Sequence, residues 1–174
     1  MKLFHAHGYD AVGVAELVAA LGIKPPSFYA AFGSKAGLLE RALERYAASE
    51  ANIFARAQAE GGDVAEVIDR TLGLAARLYP ERDGIAGCLV LDGTRNSTDP
   101  AARALTAAAK RASHEAIRDF IATKRPDRAD ELAAFVTIAM VGMSAAARDG
   151  ADAATLATFA ATASRAFRHE IGLP

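Results

Sequence analysis

Two short helical patterns meet at one glycine near the start of this 174-residue chain. That junction limits the fold more than any other feature. Val14, Leu17, Val18 and Leu21 fall on one face of a helix, and Gly22 follows them as the stop. Pro25 and Pro26 open the next segment, where a helix tolerates proline because its first amides have no partner. Phe28, Tyr29 and Phe32 then give a short apolar face, ended by Gly33. The turn at Leu21-Gly22-Ile23 therefore predicts a helix-turn-helix, with the first helix bracing the second. Glycine at the turn allows a backbone angle that a Cβ opposes.

Glycine, proline and acidic caps punctuate the rest. Leu3 to Ala6 reads as the end of a helix closed at Gly8, and Gly13 as the cap of the next. Ser34 is an N-cap for a long helix carrying Leu38, Leu39, Ala42, Leu43, Tyr46, Ile53 and Phe54, ended by Gly61-Gly62. Asp63 caps a helix that stops before Pro80, with Val64, Val67, Ile68, Leu72, Ala75 and Leu78 facing inward. Asp83-Gly84 is a turn, and a short helix spans Cys88 to Leu91. Asp99-Pro100 opens a helix to about Thr123, Pro126-Asp127 another to near Gly150, and Asp152 a last one to Gly172. The expectation is an all-α fold of about nine helices.

Composition agrees and removes other classes. Hydrophobic residues make up 52% of the chain, enough for a core. Alanine dominates them, which favours helix. Cys88 is the only cysteine, so no internal disulfide can form. The most apolar stretch, Ala133 to Ala147, reads as too short and too flanked by charge to span a bilayer. The start at Met1 lacks a signal peptide's apolar core. A soluble, cytoplasmic protein without membrane partner is expected. His5 and His7 point to different helix sides, and the scattered histidines with one cysteine make no zinc set. No cofactor is expected, and nothing ties Cys88, His114 and Asp92 into a hydrolase site, so the chain reads as a non-enzyme.

Gly8-Tyr9, Val14, Leu17, Leu21-Gly22-Ile23, Ser27-Phe28-Tyr29, Phe32, Ser34-Lys35 and Leu38-Leu39 stand in one register. Over about Phe4 to Tyr46 this strongly resembles the DNA-binding domain of TetR-family repressors, in the AcrR-like style. The resemblance implies a helix-turn-helix domain over 1–46, with an apparently truncated first helix, and a helical ligand-binding and dimerisation domain over 47–174. It places Lys24, Pro25, Pro26, Ser27 and Tyr29 on the turn and recognition helix, where the helix enters the major groove. Lys24 and Ser27 become candidates for base-edge or phosphate contact, and Tyr29 and Lys35 for phosphate contact. Phe28 and Phe32 pack inward. Besides the truncated first helix, two features depart from the family pattern. Val12-Gly13 stand where Ser or Thr usually caps the second helix. Residues 1–46 carry five basic residues (Lys2, Lys24, Lys35, Arg41, Arg45) against four acidic ones (Asp10, Glu16, Glu40, Glu44), a balance of only +1.

The expected function is a dimeric, ligand-responsive repressor that binds double-stranded operator DNA and is released by a small-molecule effector. The alternative is a degenerate member acting as a small-molecule or protein-binding module without DNA binding. The homodimer interface is expected on the last two helices, at Val136, Met140, Met143, Ala147, Phe159, Ala163 and Phe167, as a four-helix bundle. The effector pocket is expected among the middle helices, lined by Leu72, Tyr79, Cys88, Leu89, Asp92, Asn96, His114, Phe120 and Met140. Gly87-Cys88-Leu89 resembles a run found in one branch of the family. A cysteine beside a glycine at a helix start suggests a lowered thiol pKa and a sensing role.

Overall fold

The structure, a computed structural model describing residues 1–172, has ten helices and no strand among those residues. The last two residues of the expected second domain, 173 and 174, lie outside them. The amino-terminal part holds α1 (Lys2–His7), α2 (Val14–Leu21), α3 (Pro25–Phe32) and α4 (Lys35–Ala47). The remainder holds α5 (Ile53–Ala59), α6 (Val64–Leu78), α7 (Leu89–Asp92), α8 (Pro100–Ala122), α9 (Ala129–Arg148) and α10 (Ala153–Glu170).

The caps sit where the side chains dictate. The Asp63 carboxylate accepts from the Glu66 amide at 2.9 Å while Glu66 accepts from the Asp63 amide at 2.8 Å, a capping box. Asp99 accepts from the Ala101 and Ala102 amides with Pro100 in the first turn, and Asp152 accepts from Thr155. Asp83 and Gly84, both at positive φ, turn the chain between Arg82 and Ile85.

Two expectations change. The long fourth helix ends at Ala47 and a separate α5 begins at Ile53, which brings the count to ten. Ser49 and Asn52 cause the break by competing for backbone groups. Ser49 Oγ donates to the Tyr46 carbonyl, and Asn52 donates to the Ala47 carbonyl while accepting from the Ala55 amide. α9 begins at Ala129 rather than at Pro126-Asp127. Asp127 gives both carboxylate oxygens to Arg125 instead of capping amides.

One apolar cluster runs without interruption from Phe4 to Ile171. α6 and α10 form its most extensive helix pair, with α8 against α9 beside it. Leu78, expected inward, is partly exposed at the end of α6. α9 is long and apolar enough by composition to cross a membrane. In this fold its Leu132, Ala133, Val136, Met143 and Ala147 instead pack within the protein.

Candidate nucleic-acid interface and interior cavity

α2 and α3 owe their relative position to a few buried side chains. Val12, Leu17, Phe28 and Leu39 meet in the core beneath them. Gly22 ends α2 in the left-handed region at φ 65°, and the Ile23 amide bonds back to Val18. Lys24 is the N-cap of α3 in an extended conformation, without a side-chain cap. Pro25 and Pro26 remove two amide donors from the end of this helix. Any anion drawn there meets Lys24 and Ser27 rather than a row of free amides.

Lys24, Pro25, Pro26, Ser27 and Tyr29 all lie exposed, with Tyr29 at 52%. Phe28 is fully buried, and Tyr29 stands edge-on to it with centroids 5.4 Å apart. Phe32 is half-buried against the core. Ser34 caps α4 by accepting from the Gly37 amide at 3.0 Å. Gly37 has no substitute, because a Cβ there would overlap the Phe32 carbonyl. Gly13 caps α2 with backbone alone.

Lys35, in the first turn of α4, lies with its ammonium 4.1 Å from the centroid of the Tyr9 ring. An open groove brings Lys35 together with Tyr29, Ser34, Tyr9 and Asp99, whereas Lys24 and Ser27 lie outside it. Acids close this groove on the side of α8. The Tyr9 hydroxyl donates to Asp99 at 2.6 Å, the Ser97 hydroxyl donates to Asp10 at 2.7 Å, and the Thr98 amide donates to Asp10. The bond from Tyr9, then that from Ala102, holds the Asp99 carboxyl below the usual range. Burial first, and then Asp99, pushes the Tyr9 phenol up.

A second feature lies inside the protein. A cavity of about 330 Å³ opens between α4, α5, α8 and α9. Three of the expected lining residues reach it: Tyr79, Cys88 and Met140. The other six do not. Leu72 and Leu89 are core residues with no exposed surface. Asp92 is buried and engaged, accepting from Ser144 at 2.5 Å and pairing with Arg95 at 2.6 Å. Asn96 is exposed in a turn at φ 63°. His114 bonds to Thr137, and Phe120 stacks edge-on against Phe54, each one residue behind the wall. Sequence reasoning missed Leu43, Tyr46, Asn52, Phe54 and Ile117. Four of these came from the α4–α5 corner that was read as one helix.

Cys88 caps α7, and its amide donates to Ser144 at 2.8 Å. Its sulfur accepts from the Tyr46 hydroxyl at 3.4 Å. Burial pushes the thiol up, against the bonds from Tyr46 and the α7 amides. This reverses the expected lowering, because desolvation of a thiolate outweighs a helix of only four residues. With Asp92 held by Ser144 and Arg95 and His114 by Thr137, these three side chains form no hydrolytic triad. Among the described residues, no group of three or more His, Cys, Asp or Glu side chains stands together as a metal site.

The expected dimer residues divide by burial. Val136, Met143, Ala147, Ala163 and Phe167 fill the core of the single chain and have no surface to offer a partner. Met140 lines the cavity. Only Phe159 is exposed. The outward apolar residues of α9 are Phe135 and Ile138, the latter at 70%, while Val141, partly exposed, borders the cavity.

The family model for bacterial regulatory proteins of the tetR family matches residues 1–42. The HTH-type transcriptional repressor BdcR of Escherichia coli (strain K12) is 43% identical over 166 residues, covering 95% of this chain and 84% of that protein. The HTH-type transcriptional repressor ComR of the same organism is 33% identical over 179 residues, covering 95% and 83%. The TetR-family regulator CifR, solved as a cysteine mutant with 26-bp operator DNA, is similar in structure at a TM-score of 0.84 and 28% identity, covering 94% of this chain and 90% of its own. The chain belongs to the TetR family of transcriptional regulators.

Proposed function

We propose that this protein is a dimeric transcriptional repressor of the cytoplasm, which binds operator DNA through α3 and is released by a small molecule bound in the 330 Å³ cavity. The observation that carries the reading is the outward display of Lys24, Pro25, Pro26, Ser27 and Tyr29 on a helix braced by a buried Phe28, with Lys35 beside Tyr29. Such a helix end suits base edges, and the flanking Tyr29 and Lys35 suit phosphates. BdcR and ComR are named as repressors, and CifR was solved on operator DNA, which supports the same role here. In this reading residues 1–46 form the DNA-binding unit and 47–174 the effector and dimer unit.

One module reads a half-site, so two-fold pairing is part of the proposal. Phe135 and Ile138 of α9 and Phe159 of α10 are exposed apolar side chains, and they replace the buried residues as interface candidates.

The α7 segment supplies the coupling. On one side Cys88, Val90 and Leu91 line the cavity. On the other, the Gly93 carbonyl accepts from the Tyr9 amide at 2.7 Å, and the Gly87 carbonyl accepts from His5 Nε2 at 3.1 Å. Leu43, Tyr46 and Ala47 carry the cavity wall onto α4 itself. A ligand that shifts α7 or α4 thereby moves the recognition helix relative to its partner.

The test is a gel shift of the protein with DNA from upstream of its own gene, at low salt. Sequence-selective binding by two protomers per site is expected. The balance of +1 over residues 1–46 and the side-chain-free cap at Gly13 favour a second reading, a binding module that has lost DNA affinity. Absence of any selective shift would count heavily against repression and in favour of that reading.

A further inference from the structure

Tyr79 is 2% exposed, lines the cavity, and its hydroxyl has no hydrogen-bond partner. The Cys88 sulfur is close enough to help push the Tyr79 phenol up, but it already accepts from Tyr46, and the Tyr79 hydroxyl makes no hydrogen bond of good geometry. Buried hydroxyls are nearly always paired, so an orphan donor at a cavity wall points to what fills the cavity. The groups around it set the charge of that occupant. Burial pushes Tyr46, Tyr79 and Cys88 up, so all three stay neutral and none offers a charge for an ion to pair with. The remaining wall is mostly apolar, from Leu43, Phe54, Ile117 and Met140. About 330 Å³ lies at the small end of ligand sites, ~300–1,000 Å³.

We infer that the cavity takes a small, uncharged, largely apolar molecule bearing one carbonyl oxygen, which accepts a hydrogen bond from the Tyr79 hydroxyl. This deepens the effector reading above and rests on it for its regulatory meaning. Lys110 also lines the cavity. It stands at a half-buried position of α8, and the benzoate arm of the test reads whether it seats an anion.

The experiment uses the full chain and three molecules of similar shape: acetophenone, ethylbenzene and benzoate, with 2-octanone as a second ketone. Affinities are measured by calorimetry, and the ketone C=O stretch by infrared spectroscopy, for wild type and Tyr79→Phe. The substitution keeps the ring in the core and removes only an unpartnered hydroxyl, and a melting curve verifies the fold. In wild type, acetophenone binds about five- to tenfold more tightly than ethylbenzene, the worth of one buried hydrogen bond. Benzoate binds least. The C=O stretch of the bound ketone lies at lower frequency in wild type than in Tyr79→Phe. In Tyr79→Phe the ketone preference vanishes and the bound C=O stretch rises to the value of an unbonded carbonyl, while ethylbenzene affinity stays the same. Failure of both ketones to bind, tighter binding of benzoate, or an unchanged ketone preference in Tyr79→Phe overturns the assignment. A parallel gel shift separates it from the effector reading. Tyr79-dependent ketone binding without DNA release overturns effector release and leaves the ligand class standing. A protein that binds its DNA but neither ketone keeps the DNA reading and loses this one.

Discussion

The two ends of this protein do their work with opposite surfaces. The first 47 residues bury a handful of large side chains, Phe4, Val12, Phe28 and Leu39 among them, in order to hold others outward. Tyr29, Ser27 and Lys24, the proposed contacts, are free to face outward because the core does not need them. From α5 onward the arrangement is reversed. The candidate chemistry, Tyr79 and Cys88 with Tyr46 reaching in from the end of α4, is interior, and exposure is left mainly to alanine, charge and a few apolar side chains of α9 and α10. An outward site needs a rigid frame beneath it, whereas an inward one needs helices that fail to close.

The contrast is one of surfaces and not of stability, because a single core joins both parts. Phe28→Ala in the first and Phe167→Ala in the second should each lower the unfolding free energy by about 3–5 kcal/mol. Circular dichroism during urea unfolding should show one shared transition for both variants. Two separable transitions would break the idea of a continuous core.

The next effect concerns these outward apolar side chains. Ile138→Glu with Phe159→Glu places charge on exposed side chains outside the core, so the fold should survive. Light scattering should find a monomer, and affinity for operator DNA should fall by at least ~100-fold, since each half-site then binds alone. A charged variant that remains dimeric would move the interface elsewhere.

The outward region was the more legible in sequence. Gly22, Pro25-Pro26, Ser34 and the aspartates at 63, 99 and 152 act on neighbours within four residues, so their effects can be read locally. The cavity depends on distant contacts. Leu72 and Leu89 are apolar and helical, as Leu43 and Ile117 are, and only the packing of α4, α5, α8 and α9 decides which pair is core and which is wall. The break at Ser49 and Asn52, which carries Phe54 into the wall, needed side-chain bonds that periodicity does not report. Val136 and Phe167 differ from Ile138 and Phe159 only in rotation about their helices.

Smaller effects sharpen the account of the frame. Ser34→Ala removes the cap of α4 and should cost about 1 kcal/mol. That lowers the melting temperature by roughly 2–4 °C, and an unchanged melting temperature would show the cap to be idle. Lys35→Ala should weaken DNA binding evenly across sequences and reduce the salt slope by about 1. An unchanged slope in anisotropy titrations would place Lys35 off the phosphates.

The smallest effect is a pH dependence where the two regions meet. Burial holds the His5 imidazole below its usual range, and Arg148 acts in the same direction against Gly87 and Asp92. The neutral ring donates from Nε2 to the Gly87 carbonyl. The unfolded chain takes up this proton first, near pH ~6.5. The contribution is therefore complete above that pH and declines as pH falls through it. Melting temperatures of wild type should drop more than those of His5→Gln over this interval, and parallel curves would remove His5 from the coupling.

The central claim is that the outward face of α3 reads DNA. The direct measurement is an anisotropy titration of a duplex selected from random sequence against a scrambled one, at fixed low salt. Wild type is compared with a Lys24→Ala, Ser27→Ala, Tyr29→Phe variant, whose changes are all at exposed positions. The account predicts saturation at two protomers per selected site, a clear preference over the scrambled duplex, and loss of that preference in a variant with unchanged melting temperature. Equal affinity of wild type for both duplexes, or a variant that keeps the preference, would contradict it.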